Sequence, residues 1–208
     1  MKLHIAFDLV DLENALNIAQ SIDQYADIFE VGSLLIYKNG MHAITRFKQQ
    51  FPHKTILADV KIADRAKETV FISSEAGANW VTVLAGTKRN VIHSACNAAH
   101  ERGMKVMLDL IDASSLGQSA LEAKSFGVDA LLLPMPTQDS SQLTFLETWD
   151  MVKGNTPLPV HISGNISPET LPAIIDLKPA AIVIGKEITA ATNPLAEAEK
   201  FYKLISRS

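Results

Sequence analysis

Acidic side chains and one lysine stand at the ends of several short apolar runs in this sequence. Asp8 follows the first run, Glu30 lies in the second, and the third runs on into DVKIAD, residues 59–64. Asp109 ends a later run. If these runs are strands of one sheet, their polar ends can meet, and a group of carboxylates around a lysine is suited to stabilising negative charge that develops on a substrate.

Alternation along a strand places Asp59 and Lys61 on one face and Val60 on the other. A lysine among carboxylates stays protonated and can donate to a developing oxyanion. Glu30 and Asp59 offer hard oxygen ligands of the kind that Mg²⁺ takes in ones and twos, with substrate and water as its other ligands. The alternative is that Asp8, Glu30, Asp59 and Lys61 form a structural ion network.

The elements that would position these residues repeat along the chain. Short apolar runs recur roughly every 22 to 29 residues, each followed by a longer amphipathic stretch, and this pattern is typical of βα units around a parallel sheet. The predicted strands are Leu3–Phe7, Ile28–Val31, Thr55–Ala58, Trp80–Leu84, Lys105–Leu108, Ala130–Leu133, Pro159–Ile162 and Ala181–Ile184. Eight strands in 208 residues predict an α/β fold, a (β/α)8 TIM barrel of the ribulose-phosphate-binding type, as one domain over residues 1–208.

An open, doubly wound sheet is the alternative fold. A dinucleotide-binding sheet of that kind usually has a glycine-rich turn after its first strand, and here residues 8–11 read DLVD. Asp11 is assigned to structure, as the cap of a helix that begins near Leu12. Glycines 77, 103 and 127 stand just before predicted strands, where glycine can end a helix in the left-handed conformation.

In such a barrel the loops after strands seven and eight are expected to bind phosphate through backbone N–H groups. Ser163-Gly164-Asn165 and Gly185-Lys186 occupy these two positions. The glycines would let the backbone approach a ligand closely, and Lys186 adds a cation. Ordinary tight turns are the alternative for both glycines.

Composition narrows the class of protein. Hydrophobic residues make up 47% and charged residues 20% of the chain, which favours a compact fold with a large core. A net charge of −4 without a dense basic stripe argues against nucleic acid as a partner. No signal-peptide pattern or long apolar run predicts membrane insertion, and the single cysteine, Cys96, fits a reducing compartment, so we expect a cytoplasmic protein.

With these residues placed, the chain resembles the orotidine-monophosphate-decarboxylase superfamily, and most closely its branch of 3-hexulose-6-phosphate synthases and 3-keto-L-gulonate-6-phosphate decarboxylases. The D-x-K-x-x-D spacing of residues 59–64 is the most specific signal. The other matching segments span nearly the whole chain: 6–9, 30–32, 57–59, 81–84, 106–111 and 167–172.

The resemblance implies that Glu30 and Asp59 contact Mg²⁺ and that Asp8 and Lys61 contact a sugar phosphate. It also implies that Asp64 reaches into the active site of a neighbouring subunit, which predicts a homodimer with shared active sites. Asp109-Leu110-Ile111 looks like the synthase. The implied reaction removes a proton from C1 of ribulose 5-phosphate and adds the enediolate, stabilised by Mg²⁺ and Lys61, to formaldehyde.

The chain departs from the family in the loop after strand six, which commonly carries a histidine as proton carrier. Here residues 133–139 read LPMPTQD, and Thr137, Gln138 and Asp139 are the polar substitutes. His161 in strand seven can compensate only if it faces the active site, and a histidine satisfied within the core is the alternative. Asn165 and Lys186 also depart from the usual residues.

Two other functions stay open from the sequence. One is decarboxylation of 3-keto-L-gulonate 6-phosphate through a similar enediolate. The other is a sugar-phosphate-binding member with altered or lost catalysis, which would still bind the metal without turnover.

Overall fold

The computed structural model of the protein describes residues 1–135 and 142–206, and only the backbone of residues 142–144. Eight parallel strands close into a barrel in chain order, which confirms the predicted fold. The strands are β1 (Lys2–Phe7), β2 (Ile28–Val31), β3 (Thr55–Ile62), β4 (Trp80–Leu84), β5 (Lys105–Asp109), β6 (Ala130–Pro134), β7 (Val160–Ser163) and β8 (Ala181–Ile184). β8 pairs with β1, so the sheet has no free edge.

Helices follow the strands and cover the outside of the barrel. They are α1 (Leu12–Ile22), α2 (Ser33–Asn39), α3 (His42–Gln50), α4 (Ala66–Glu75), α5 (Arg89–His100), α6 (Leu116–Ala123), α7 (Gln142–Gly154), α8 (Leu171–Asp176), α9 (Lys186–Thr189) and α10 (Pro194–Ser206). Short 3-10 helices lie at Asp23–Tyr25 and Lys124–Phe126. None of the described helices is both long and apolar enough to cross a membrane.

Alternation along the strands separates two cores. Outward-facing residues pack against the helices, where Phe7, Phe29, Phe47 and Phe51 form one aromatic cluster. The barrel interior is filled by a smaller apolar set: Ala6, Ile28, Leu57, Met107, Ala130, Leu132 and Val183 beside Trp80. Polar residues of the same inward parity must therefore lie above or below this plug, inside the barrel.

Local signals in the sequence correspond to observed caps. Asp11 caps α1, and its Oδ1 accepts a hydrogen bond of 3.0 Å from the backbone N–H of Asn14. Gly77, Gly103 and Gly127 have φ angles of 92°, 69° and 87°, the left-handed conformation expected of helix ends. These predictions are confirmed.

β3 extends beyond the predicted end at Ala58 and runs to Ile62. Its pairing with β4 shifts register between Ala58 and Ile62, and Lys61 within this bulge has a φ of 43°. A non-glycine residue in this conformation costs about 1 to 3 kcal/mol and persists only where its surroundings hold it. No glycine marks the bulge in the sequence, so the prediction ended the strand too early.

Candidate active site

A cavity of about 440 Å³ lies at the carboxyl ends of the strands. All the predicted site residues except Asp64 line it: Asp8, Glu30, Asp59, Lys61, Asp109, Ser163, Gly164, Asn165, Gly185 and Lys186. Volumes of roughly 300 to 1,000 Å³ are usual for small-molecule sites. The residues at the ends of β1, β2, β3 and β5 form what we call the β1–β5 wall, and residues 163–165 with 185–186 form the β7–β8 wall.

Lys61 is held between two buried carboxylates in the β1–β5 wall. Its Nζ lies 3.1 Å from Asp59 Oδ1 and 2.9 Å from Asp109 Oδ2. Asp59 is 3% and Asp109 2% exposed, whereas the Lys61 side chain is 29% exposed toward the cavity. One ammonium group thus joins two strands and still faces a ligand.

The charges of this trio act on one another. Removal from water alone would lower the pKa of Lys61, but the charges of Asp59 and Asp109 and their hydrogen bonds outweigh it, so the pKa of Lys61 is raised above its usual value. Burial raises the pKa of Asp109 despite the opposing charge of Lys61. Lys61 is therefore a permanent cation in the cavity.

Thr82 fixes the bulge that presents Lys61. Its hydroxyl accepts a hydrogen bond of 2.9 Å from the backbone N–H of Lys61 and donates one of 2.8 Å to Asp59 Oδ1. Thr82 is fully buried, and it faces inward by the same parity as Trp80 on β4. The sequence reasoning gave Thr82 no role, although a polar residue inside an apolar strand was the available signal.

Asp8 stands at the mouth, beside a residue that must be glycine. A Cβ at Gly32 would collide with Asp8 Oδ1 and would lie 2.7 Å from the carbonyl oxygen of Phe7. Loss of hydration raises the pKa of Asp8, and the charge of Asp59 adds to this shift. Asp8 is a cavity carboxylate that makes no hydrogen bond to Lys61.

Glu30 is buried, 5% exposed, without a well-formed hydrogen bond to any described residue. His4 Nε2 lies 2.8 Å from Glu30 Oε2, but the alignment is poor, and both atoms lack any other partner within the described part of the chain. Burial raises the pKa of Glu30 well above its usual value, and the charges of Asp59 and Asp8 raise it further. An ionised Glu30 therefore needs a cation that the protein does not supply.

The donor set fits a hard divalent cation. Four carboxylates, Asp8, Glu30, Asp59 and Asp109, face one ammonium group, so ionised side chains leave negative charge to be neutralised. Among the described residues no three acidic, histidine or cysteine side chains are arranged to bind a metal by themselves. Mg²⁺ suits such a site, because it takes one or two carboxylates and completes its shell with water and substrate oxygens.

The β7–β8 wall is built mainly from backbone. Gly164 and Asn165 have φ angles of 88° and 30°, so this turn exposes main-chain groups toward the cavity. The carbonyl oxygen of Ser163 accepts a hydrogen bond of 2.7 Å from Met135 N–H, which joins β7 to the end of β6. Lys186 is exposed and has no ion-pair partner among the residues that the structure describes.

Three other predicted residues or groups lie away from the cavity or outside the structure. Asp64 is exposed, and its side chain accepts a hydrogen bond from the N–H of Arg65. His161 is 4% exposed, lies against His4 and Trp80, and does not line the cavity, so the core interpretation is the one that the structure supports. Thr137, Gln138 and Asp139 lie outside the described residues.

Comparison with known proteins was made on this geometry. Residues 1–201 match the family described as orotidine 5'-phosphate decarboxylase / HUMPS. A 3-hexulose-6-phosphate synthase of Bacillus subtilis is 30% identical over 207 residues, 99% of each chain.

Two solved structures are similar over almost their full length. A 3-hexulose-6-phosphate synthase from Salmonella typhimurium has 31% identity and a TM-score of 0.92, with 100% of this chain and 99% of that chain covered. A KGPDC from Streptococcus mutans in complex with a sugar-phosphate ligand has a TM-score of 0.89 at 21% identity, with 99% and 98% covered, which shows the same fold.

Proposed function

Because the chain belongs to the orotidine 5'-phosphate decarboxylase / HUMPS family, we propose that it is a lyase with the activity of its curated relatives, 3-hexulose-6-phosphate synthase. The observation that favours this activity most is Lys61, a cation held by Asp59 and Asp109 and open to the cavity. The reaction removes a proton from C1 of ribulose 5-phosphate and joins the resulting enediolate to formaldehyde, giving a hexulose 6-phosphate.

Lys61 stabilises the negative charge that forms on the substrate oxygens. Because Asp59, Asp109 and Thr82 already fix its position, no reorganisation is needed when that charge appears. A single preorganised donor of this kind typically contributes about 10²- to 10³-fold to kcat. Asp59 and Asp109 serve as the counter-charges that keep the ammonium group at the correct place.

Glu30 and Asp59 would hold Mg²⁺. When bound there, the metal would act as a Lewis acid toward the developing oxyanion. The two side chains suit this role because both are buried carboxylates at the cavity floor and Glu30 lacks a well-formed hydrogen bond to any described residue. Their mutual repulsion, which raises the pKa of Glu30, would be relieved by a cation between them.

Asp8 is the proposed acceptor of the C1 proton. It lies at the mouth of the cavity and makes no hydrogen bond to Lys61. Its pKa is raised by loss of hydration and then by the charge of Asp59, and both effects make it a stronger base than a carboxylate in water. The sequence lacks the histidine that the family commonly carries after strand six, so the chain needs such a substitute.

The phosphate group would lie against the β7–β8 wall. Gly164 and Gly185 allow close approach of the backbone, and Ser163, Asn165 and Lys186 add polar side chains to the same surface. The sugar phosphate bound by the Streptococcus mutans KGPDC supports a ligand of this class for the fold. The acidic wall and the phosphate-binding wall would then contact opposite ends of one substrate.

The test is turnover of ribulose 5-phosphate with formaldehyde, measured with Mg²⁺ and with EDTA. We expect metal-dependent product in the wild type and its loss in Asp59→Asn. Asp176→Asn, an exposed carboxylate at the end of α8, is the matched control and should behave as wild type. Turnover of 3-keto-L-gulonate 6-phosphate in place of formaldehyde addition would identify a decarboxylase, and binding without turnover would identify a non-catalytic member.

We also propose a homodimer with shared active sites. Asp64 follows the catalytic bulge but is exposed and does not line the cavity of its own chain, which is compatible with a role in a neighbouring site. Mixing Asp64→Asn with Lys61→Ala chains tests this arrangement. Activity should return to about a quarter of wild type, because half of the mixed dimers are hybrids and each has one intact site. No recovery, or a monomer by light scattering, would refute it.

The cytoplasmic location and the absence of a nucleic-acid partner stay predictions. Cell fractionation and a nucleic-acid retention assay would test them.

A further inference from the structure

A pair of histidines lies in the barrel interior directly below the proposed metal ligand. His4 is fully buried on β1, and His161 is 4% exposed on β7. Their Nδ1 atoms are 3.3 Å apart and their rings meet edge to face, with an interplanar angle of 83°. The other nitrogen of His4, Nε2, lies 2.8 Å from Glu30 Oε2. The remaining interior side chains of this layer are apolar, so two imidazoles here need an explanation.

Both rings are neutral. Burial lowers the pKa of His4 to about 3 against the opposing charge of Asp59, and burial with the charge of His4 lowers the pKa of His161 to about 3. A neutral imidazole has one N–H and one bare nitrogen. His4 therefore donates in one of its two contacts and accepts in the other.

The order of these contacts follows from Glu30. Two bare electronegative atoms 2.8 Å apart would repel, so a proton must lie between His4 Nε2 and Glu30 Oε2. When Glu30 is the carboxylate that a metal requires, that proton belongs to His4 Nε2. His4 Nδ1 is then bare, and His161 Nδ1–H must donate to it.

We propose that His4, supported by His161, is the positioning residue that fixes Glu30 for metal binding. This inference rests on the proposed function, in which Glu30 holds Mg²⁺. His4 donates to Oε2 from below, which leaves the other carboxylate oxygen for the cavity. Carboxylates that bind metals are commonly oriented by such hydrogen bonds, and loss of the partner costs about 10- to 100-fold in metal affinity.

The poor alignment of the His4–Glu30 contact fits a site without its cation. Hydrogen bonds of this type are often poorly aligned in ligand-free sites and tighten in the loaded state. His161 stabilises the required tautomer of His4, since its Nδ1–H has no better acceptor within hydrogen-bond distance among the described residues. Its ring is held in turn against Trp80, at 6.5 Å between centroids.

The first test is the affinity for Mg²⁺, measured by calorimetry on the whole protein. His4→Leu fills the space without a donor, and we expect its Kd to rise about 10- to 100-fold. His4→Gln restores an N–H group near the position of Nε2 and should recover most of the affinity. His161→Leu should give an intermediate Kd. Thermal unfolding of each variant shows whether it is folded, and wild-type affinity in a folded His4→Leu would overturn the proposal.

The second test needs no substitution. Long-range ¹H–¹⁵N spectra of the wild type with Mg²⁺ should show His4 as the Nε2–H tautomer and His161 as the Nδ1–H tautomer. A merely structural packing role for the two rings would not select this combination. The opposite tautomer on either ring in the Mg²⁺-loaded protein would overturn the proposal.

Turnover of ribulose 5-phosphate with formaldehyde is measured in parallel to separate the two hypotheses. If the wild type binds Mg²⁺ and His4→Leu loses affinity, the inference stands even when no product forms. If the wild type turns over with Mg²⁺ while His4→Leu binds it normally, the inference alone fails. A wild type that binds no Mg²⁺ overturns the metal assignment and the inference together.

Discussion

The β1–β5 wall and the β7–β8 wall of the cavity hold their polar groups in different ways. In the β1–β5 wall, buried side chains fix one another: Lys61 contacts Asp59 and Asp109, and Thr82 binds both the backbone of Lys61 and the side chain of Asp59. In the β7–β8 wall, exposed main-chain groups at two turns and the exposed ammonium group of Lys186 face the ligand. One wall is therefore preorganised and the other is solvated before the substrate arrives.

This difference indicates which step each wall affects. A group fixed before the reaction can stabilise the transition state more than the bound substrate, and its loss lowers kcat. An exposed cation binds the substrate and the transition state about equally, and its loss raises KM. The following predictions compare the walls on this basis, from the largest effect to the smallest.

The largest effect is expected from Lys61→Ala. It removes the donor to the developing oxyanion and leaves Asp59 and Asp109 buried without their cation. We expect kcat to fall by about 10²- to 10³-fold, with little change in the KM for ribulose 5-phosphate. Steady-state kinetics at saturating Mg²⁺ measure both constants.

Lys38→Ala is the matched control for this substitution, because Lys38 is exposed near the end of α2. It should leave both constants unchanged. If Lys61→Ala raised KM while kcat stayed near the wild-type value, Lys61 would belong with the binding groups and the contrast between the walls would be wrong.

Thr82→Val should have the next largest effect. Valine has nearly the same shape but cannot accept from Lys61 N–H or donate to Asp59, so the left-handed bulge loses its support. Displacement of a catalytic group by about 1 Å can cost about 10²-fold, and we expect kcat to fall by about 10- to 100-fold. Thr82→Ser keeps the hydroxyl and should recover most of the rate.

Thr45→Val removes a threonine hydroxyl bond on α3, away from the cavity, and controls for the general effect of the substitution. A merely structural role for Thr82 predicts that Val and Ser variants lose stability without a specific loss of kcat. Equal kcat values for Thr82→Val and wild type would show that the bulge holds Lys61 without the hydroxyl.

These two residues also show what the sequence could predict. The eight strands follow from short apolar runs at regular spacing, and the carboxylates follow from their place at the strand ends. The bulge does not, because nothing in residues 59–64 marks Lys61 for a positive φ; it depends on a hydroxyl from the next strand. The contact between His4 and Glu30 depends in the same way on the register of β1 against β2.

Lys186→Ala tests the β7–β8 wall and should act on binding. The side chain is exposed, so its attraction for a phosphate is worth about 1 kcal/mol, or about a fivefold rise in KM, with kcat nearly unchanged. The effect should shrink as salt is added, because exposed charges are screened. A fall in kcat that matched that of Lys61→Ala would show that both walls act in the transition state.

The smallest effect is one of stability in the metal-free protein, and its sign is opposite to the usual one. Burial and the charges of Asp59 and Asp8 raise the pKa of Glu30 above the ordinary value of 4.5 that applies to the unfolded chain. Below that pH Glu30 is protonated in both states. As the pH rises through the raised pKa, the unfolded chain releases its proton first, and the wild type loses stability.

Glu30→Gln keeps the shape of Glu30 and cannot ionise. At pH 7 in EDTA we expect its free energy of unfolding to exceed that of the wild type by about 1 kcal/mol or more, with the difference vanishing toward pH 4. Urea unfolding at several pH values measures this difference, and Mg²⁺ should reverse it by stabilising the wild type alone. A Glu30→Gln variant that is less stable at pH 7 would show that Glu30 is already paired without a metal. The β1–β5 wall would then be a closed structural network, as the alternative from the sequence has it, and the contrast with the solvated β7–β8 wall would lose its functional meaning.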